Sequence, residues 1–190
     1  MINQIFLDLD DVCNTLAMYA LHVQGIDISP TDYSAYPVEC GYDIIAAANL
    51  LGQGYCTVAS FWDAITRKHW ASVPESTIFP WILDACENLV GQGNVCIATS
   101  PTKDPDSLAG KLEWIHEHFP SRMHREYAIT PRKHLLAQPD TLLIDDNADN
   151  INTFIRKGGR GLLVPRPWNV YAGCDVQGYL KGQLQRISEE

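Results

Sequence analysis

The chain has 190 residues, 46% hydrophobic and 19% charged, and carries a net charge of −9 from 14 Lys and Arg against 23 Asp and Glu. This balance excludes a disordered tail, a fibre and a disulfide miniprotein, and the negative charge argues against the broad phosphate-tracking surface that grips duplex nucleic acid. A chain of this length buries roughly 70% of the surface its unfolded form exposes, so a bound metal is free to serve chemistry rather than folding.

Gln4 to Leu9 reads as a buried strand. Met1-Ile2 is followed by Asn3 and Gln4 with no basic stretch, and the apolar run Ile5 to Leu7 halts at Asp8. Neither a signal peptide nor a membrane anchor is expected, and the expected location is cytoplasmic. The strand delivers Asp8-Leu9-Asp10-Asp11 straight from apolar surroundings. Two unit charges about 4 Å apart repel by roughly 4 kcal/mol at an effective dielectric near 20. Something positive must sit beside them.

From Asn14 to Ser76 the sequence holds helical apolar patches, Ile44 to Leu51 and Phe61 to Trp70, with turn clusters and no clear strand. We read 14–76 as a helical cap inserted after the first strand, leaving 1–13 and 77–190 as the core domain. Its aromatics, Trp62 and Trp70 among them, are either core or a stacking wall for a planar ligand.

Beyond the insert the pattern becomes regular. A helix from Pro80 to Val90 stops at Gly91, and a strand from Asn94 to Ala98 runs into Thr99-Ser100-Pro101. Hydroxyls and backbone N–H groups at such a strand end can hold phosphoryl oxygens. A helix from Ser107 to Phe119 follows and carries Lys111, a point charge able to reach the same oxygens. His116 and His118 are two residues apart on that helix and point to different faces, so they are not expected to share a metal. Tyr127 to Ile129 reads as a short strand, and Thr141 to Ile144 as another that runs directly into Asp145-Asp146. Ala148 to Lys157 reads as a helix closed by Gly158-Gly159, and Gly161 to Val164 as the last strand.

Strands alternating with helices predict an α/β domain: a Rossmann-like parallel sheet of about five strands with helices on both faces. If the strands ending at Asp8 and Asp145 are neighbours, both acid sets emerge at one carboxyl edge, where open α/β sheets bind ligands. Several carboxylates in one crevice call for a hard divalent cation, and Mg²⁺ fits because it takes a few carboxylates plus waters and substrate phosphate. Calcium does not fit the run from Asp145 to Asn150, which lacks the sixth-position glycine and has Arg156 where a bidentate glutamate belongs. The six cysteines form no C-x-x-C pair and read as buried thiols. Cys13 lies close to Asp8, but no histidine is placed by sequence to activate it.

The ordered set of an Asp-x-Asp, a Thr-Ser, a Lys and a later acid pair resembles the haloacid dehalogenase superfamily of phosphohydrolases. More closely, Ile97 to Pro101, Gly110 to Ile115, Leu143 to Asp146 and Arg166-Pro167-Trp168-Asn169 are similar to the 5′(3′)-deoxyribonucleotidases. The resemblance implies Asp8 as a nucleophile forming an aspartyl-phosphate, and Asp10 as the acid that protonates the leaving oxygen and then activates water. It implies Mg²⁺ held by Asp8, the backbone carbonyl of Asp10, and one or both of Asp145 and Asp146, with Thr99, Ser100 and Lys111 steadying the phosphoryl group. The implied activity is a phosphomonoesterase on deoxyribonucleoside monophosphates, a small nucleotide rather than a duplex or a membrane being the partner; a homodimer is compatible with the sequence. Two positions depart from the pattern: Asp11 stands where the family has glycine, and Leu16 where related nucleotidases carry an aromatic. Two other readings remain open at this point. One is the same chemistry on a polynucleotide 3′-phosphate or a metabolite phosphate; the other is a non-enzymatic receiver-like phospho-switch.

Overall fold

The computed structural model describes residues 1–52 and 54–189. Five parallel strands, β1 Gln4–Leu7, β2 Val95–Thr99, β3 Tyr127–Ile129, β4 Thr141–Asp145 and β5 Arg160–Leu163, lie in the order β3-β2-β1-β4-β5. The first strand in sequence is therefore the central one, and the connections β1 to β2, β2 to β3 and β4 to β5 pass through helix. This is the expected Rossmann-like sheet, with strand ends shifted by one residue at β2, β4 and β5 and a larger difference at β1. That strand ends at Leu7 rather than Leu9, because Cys13 and Asn14 turn their N–H groups back onto the Leu9 carbonyl and coil the chain.

Alternation along the strands sorts side chains into two cores. Ile5, Leu7, Ile97, Leu142 and Ile144 belong to the larger cluster, which α5 (Trp81–Val90) and α8 (Val176–Ser188) join through residues such as Ile82, Leu83 and Leu180. Phe6, Ala98 and Leu143 face the other way, onto Ile151 and Phe154 of α7 (Ala148–Arg156). Helices thus cover both faces, which is what a parallel sheet needs to bury its apolar strands.

The segment between β1 and α5 holds the helices α1 Leu16–Val23, α2 Ile44–Leu51, α3 Val58–Asp63 and α4 Arg67–Ala71. The apolar patch from Phe61 to Trp70 is two short helices instead of one, since Thr57 and Thr66 each open a capping box. The two ends of the segment meet: Thr15 donates its N–H to the Pro74 carbonyl at 3.0 Å, and Ser76 donates to Cys13 at 2.9 Å. On its far side α4 lies against α6 (Pro105–His118) at Gly110, where a Cβ would stand 2.3 Å from Cβ of Trp70 and 2.6 Å from the Arg67 carbonyl. Only glycine permits that approach.

Candidate active site

Register decides where the acids go. Leu7 pairs with Ile97 on one side and Ile144 on the other, so the next residues, Asp8 and Asp145, stand side by side at the carboxyl edge of the sheet. Carboxylate oxygens of Asp8, Asp145 and Asp146 all lie within 4.8 Å of one another, and all three residues are buried. Each is held by specific donors. Asp8 Oδ1 accepts from its neighbour's Leu9 N–H at 2.7 Å. Asp145 Oδ1 accepts from the Asn147 N–H at 2.8 Å and from Asn150 Nδ2 at 3.2 Å. Asp146 Oδ2 accepts from Trp168 Nε1 at 2.8 Å.

The positive group that the sequence demanded is Lys133, on the 3₁₀ turn Lys133–Leu136. Its Nζ sits 2.7 Å from Asp8 Oδ2 and 2.7 Å from Asp145 Oδ2, and the residue is only 3% exposed. One ammonium does not neutralise the cluster. Burial raises the Asp8 carboxyl well above its ordinary range against the pull of Lys133, with Asp145 adding to the rise. Burial also raises Asp146, followed by the charges of Asp145, Asp11 and Asp8. An excess of buried carboxylate of this kind is the donor chemistry of a hard cation, so the residues fit Mg²⁺.

Asp10 turns its side chain away from these acids. Its Oδ2 pairs with Lys111 and accepts from the Thr99 hydroxyl at 3.4 Å, and its Oδ1 accepts from Asn14 Nδ2 at 3.4 Å. Lys111 is no solvated helix lysine. It is 2% exposed, donates to Thr99 Oγ1 at 3.1 Å and to the Ser100 carbonyl at 2.5 Å, and lies 5.2 Å from the Trp70 ring centre. The Ser100 hydroxyl donates to the Thr130 carbonyl at 3.2 Å.

Asp11 has φ +55°, the left-handed conformation that favours glycine and that aspartate enters more readily than most residues. Its carboxylate accepts from the Ala17 N–H at 3.0 and 3.2 Å, capping α1, and from the Tyr33 hydroxyl at 2.7 Å. Arg166 donates Nε to the Asp11 carbonyl at 2.7 Å and lies over the Tyr33 ring. The carboxyl is raised to about 6, chiefly by burial, with these contacts opposing the rise. The extra acid is thus built into the turn instead of standing as a loose charge beside the site.

Asp10, Asp11, Ser100 and Lys111 open onto a cleft of about 250 Å³. Leu16, Ile44, Trp62, Trp70 and Trp168 line its apolar part. Trp62 and Trp70 stack on each other at 5.7 Å and 12°. Both are wall, and Trp70 is core as well, being 2% exposed. His116 contacts the His124 carbonyl while His118 pairs with Glu75. Of the six cysteines Cys13 and Cys86 are buried, whereas Cys40, Cys56 and Cys96 are half-buried and Cys174 is exposed, contrary to the expectation of six buried thiols. Cys13 is buried with its thiol raised by burial, which suits packing rather than nucleophilic attack. Sequence reasoning assigned no role to Lys133, Asn150, Tyr33 or Trp168. Lys133, Tyr33 and Trp168 reach the site only through the tertiary fold, whereas Asn150 stands five residues past Asp145 on α7.

The family described as 5′ nucleotidase, deoxy (pyrimidine), cytosolic type C protein matches residues 77–176, which include the Thr-Ser, Lys and acid-pair elements just described. The chain belongs to this family. Within the deoxynucleotidase family, it is 31% identical over 83 residues to 5′(3′)-deoxyribonucleotidases of Bacillus subtilis (strain 168) and of Bacillus phage SPbeta. That alignment covers 44% of this chain and 45% of each relative, so the match spans under half of their own length. In fold, the deoxynucleotidase-family chain is similar to a haloacid dehalogenase-like hydrolase from Xanthomonas campestris, with TM-score 0.55, 13% identity, and 99% and 98% of the two chains covered. It is also similar to a hydrolase of that superfamily from Deinococcus radiodurans R1, solved with bound phosphate and sodium, with TM-score 0.53, 15% identity and coverage of 98% and 88%. Among the described residues no helix is long and apolar enough to cross a membrane.

Proposed function

We propose that this chain is a Mg²⁺-dependent phosphomonoesterase of deoxyribonucleoside monophosphates, working through an aspartyl-phosphate on Asp8. The observation that carries the reading is the buried cluster of Asp8, Asp145, Asp146 and Lys133, with Asp8 two residues along the chain from Asp10, which with Lys111 lines the aromatic cleft. Asp8, Asp145 and Asp146 are the side chains that would hold the ion, with the Asp10 carbonyl as a further ligand. When bound, the ion supplies charge stabilisation to the phosphoryl oxygens.

In this mechanism a carboxylate oxygen of Asp8 forms a bond to phosphorus as the bond from phosphorus to the nucleoside oxygen breaks, and Asp10 gives its proton to that leaving oxygen. Water then attacks phosphorus, its proton passes to Asp10, and inorganic phosphate leaves with Asp8 restored. Lys133 fixes Asp8 in its rotamer. Lys111 exchanges its contact with Asp10 for a phosphoryl oxygen, which releases Asp10 for proton transfer. The segment 14–76 serves as a cap that closes the cleft over the nucleoside, with Trp62, Trp70 and Leu16 toward the base. A 250 Å³ cleft walled by aromatics suits a small planar ligand better than a polynucleotide end.

Phosphate release from a panel of deoxyribonucleotides and ribonucleotides, with and without Mg²⁺, tests the reading. Wild-type turnover that needs Mg²⁺ and vanishes in Asp8→Asn is expected. Equal turnover in that variant removes the mechanism, and a preference for a 3′-phosphorylated oligonucleotide over dTMP removes the substrate. Phosphorylation of Asp8 that persists without turnover favours a phospho-switch.

A further inference from the structure

Trp168 lies in the loop between β5 and α8 and touches both halves of the site. Its Nε1 donates to Asp146 Oδ2 at 2.8 Å, while its ring forms part of the cleft wall. Three tyrosines of the segment between β1 and α5 meet that ring edge-on: Tyr36 at 4.9 Å, Tyr33 at 5.7 Å and Tyr42 at 6.0 Å between centres. The next residue, Asn169, donates Nδ2 to the Asp146 carbonyl at 3.0 Å and to the Val164 carbonyl at 2.8 Å. Both the backbone and the side chain of Asp146 are therefore pinned from one short loop.

Resting on the reading of Asp8, Asp145 and Asp146 as ligands of Mg²⁺, we propose that Trp168 is a positioning residue that fixes the Asp146 carboxylate for the ion. An indole N–H donates and cannot accept, so it selects a carboxylate oxygen and sets the rotation of the group. Without it, Asp146 is a buried acid beside Asp145 and Asp8 that gains by turning away from them. The packing of three tyrosine edges against the ring leaves the indole little freedom to re-aim. Groups that orient a metal's direct ligands typically carry 10- to 100-fold in affinity.

Trp168→Phe keeps an aromatic ring for the tyrosines and deletes the donor. Calorimetric titration of the metal-free protein with Mg²⁺ is expected to give a dissociation constant about 10- to 100-fold weaker in this variant than in wild type. A second measurement needs no substitution: the Trp168 indole N–H resonance of the wild type is expected to shift on Mg²⁺ titration along the calorimetric binding curve. An unchanged dissociation constant in a folded Trp168→Phe, or an indole resonance indifferent to Mg²⁺, overturns the role. Absence of Mg²⁺ binding by the wild type overturns both this role and the metal reading beneath it. Mg²⁺ binding that weakens in the variant, in a protein that hydrolyses no nucleotide, supports the role of Trp168 and removes the proposed substrate.

Discussion

Lys133 places its ammonium 2.7 Å from Oδ2 of Asp8, and it is not one of the residues that line the cleft. Its second contact, with Asp145, ties the ends of β1 and β4 together. Removing one member of a buried ion pair costs roughly 3–5 kcal/mol, because the partner charges stay behind. Lys133→Met is expected to lower the melting temperature of the metal-free protein strongly and to make Mg²⁺ more stabilising than it is for wild type. Thermal melts with and without Mg²⁺ check this; a metal-free variant that melts with wild type refutes the structural role.

Lys111 is buried too, but it faces the cleft and shares its charge between Asp10, Thr99 and the Ser100 carbonyl. Lys111→Ala is expected to lower kcat/KM for the best deoxyribonucleotide by about 10² to 10³, the usual effect of deleting one preorganised transition-state stabiliser. A change below threefold in steady-state assays means that the side chain does not meet the phosphoryl group.

Asp11 sets two effects against each other. Asp11→Gly relieves a left-handed conformation that costs a non-glycine residue about 1–2 kcal/mol. The same change deletes the acceptor for the Ala17 N–H at the start of α1 and for the Tyr33 hydroxyl, where each unsatisfied buried donor costs about 1–3 kcal/mol. The second effect wins. Asp11→Gly is expected to be destabilised by about 1–3 kcal/mol in urea unfolding, and Asp11→Asn, which keeps an acceptor and tolerates the conformation, by less. A glycine variant more stable than wild type contradicts this ordering.

Burial raises Asp8 and Asp146 well above the ordinary carboxylate range, and Asp11 to about 6. A raised folded-state value means that the folded protein holds protons the unfolded chain has already released. Stability therefore falls as pH climbs from the unfolded value of 3.8 through the folded one. Asp32, through its hydrogen bonds with Ser34, and Glu113, through its bond with Arg67, are shifted the opposite way, but both are exposed and solvent screening leaves them little weight. Metal-free protein is expected to melt at lower temperature near pH 7 than near pH 5, with millimolar Mg²⁺ removing most of the difference. Calorimetric scans in EDTA decide the matter; a melting temperature that rises over this interval contradicts it.

Gly110 admits α4 against α6 with no space for a methyl group. Gly110→Ala must displace Trp70, a wall of the cleft, and overpacking of this kind costs about 1–3 kcal/mol. The expected result is a lower melting temperature together with a raised KM, and wild-type values for both refute the close approach.

The strand-end acids, Thr99-Ser100 and the five strands were legible because each is local: an apolar run of strand length ending in a polar residue needs no knowledge of the rest of the chain. Lys133 was not, since it reaches Asp8 and Asp145 from a 3₁₀ turn that no local pattern marks as facing them. Helix α1 escaped because its cap lies well upstream of it: Thr15 makes no side-chain cap, and Asp11 supplies the acceptor. Helix α8 escaped because Gly178 and Gly182 weaken its propensity, leaving Leu180 and Leu184 as its buried residues. The aromatic cleft was half legible. Composition pointed to a wall, while the division between core and wall depended on how Trp62 stacks on Trp70.

The central position of β1 bears on how this protein is made. Of the five strands it is made first, yet its two neighbours begin only at Val95 and Thr141. At typical rates of synthesis that is a wait on the order of ten seconds during which Ile5 and Leu7 have no partner strand. A nascent chain halted before Val95 would carry Asp8 on an unpaired ribbon, a substrate for chaperones and proteases.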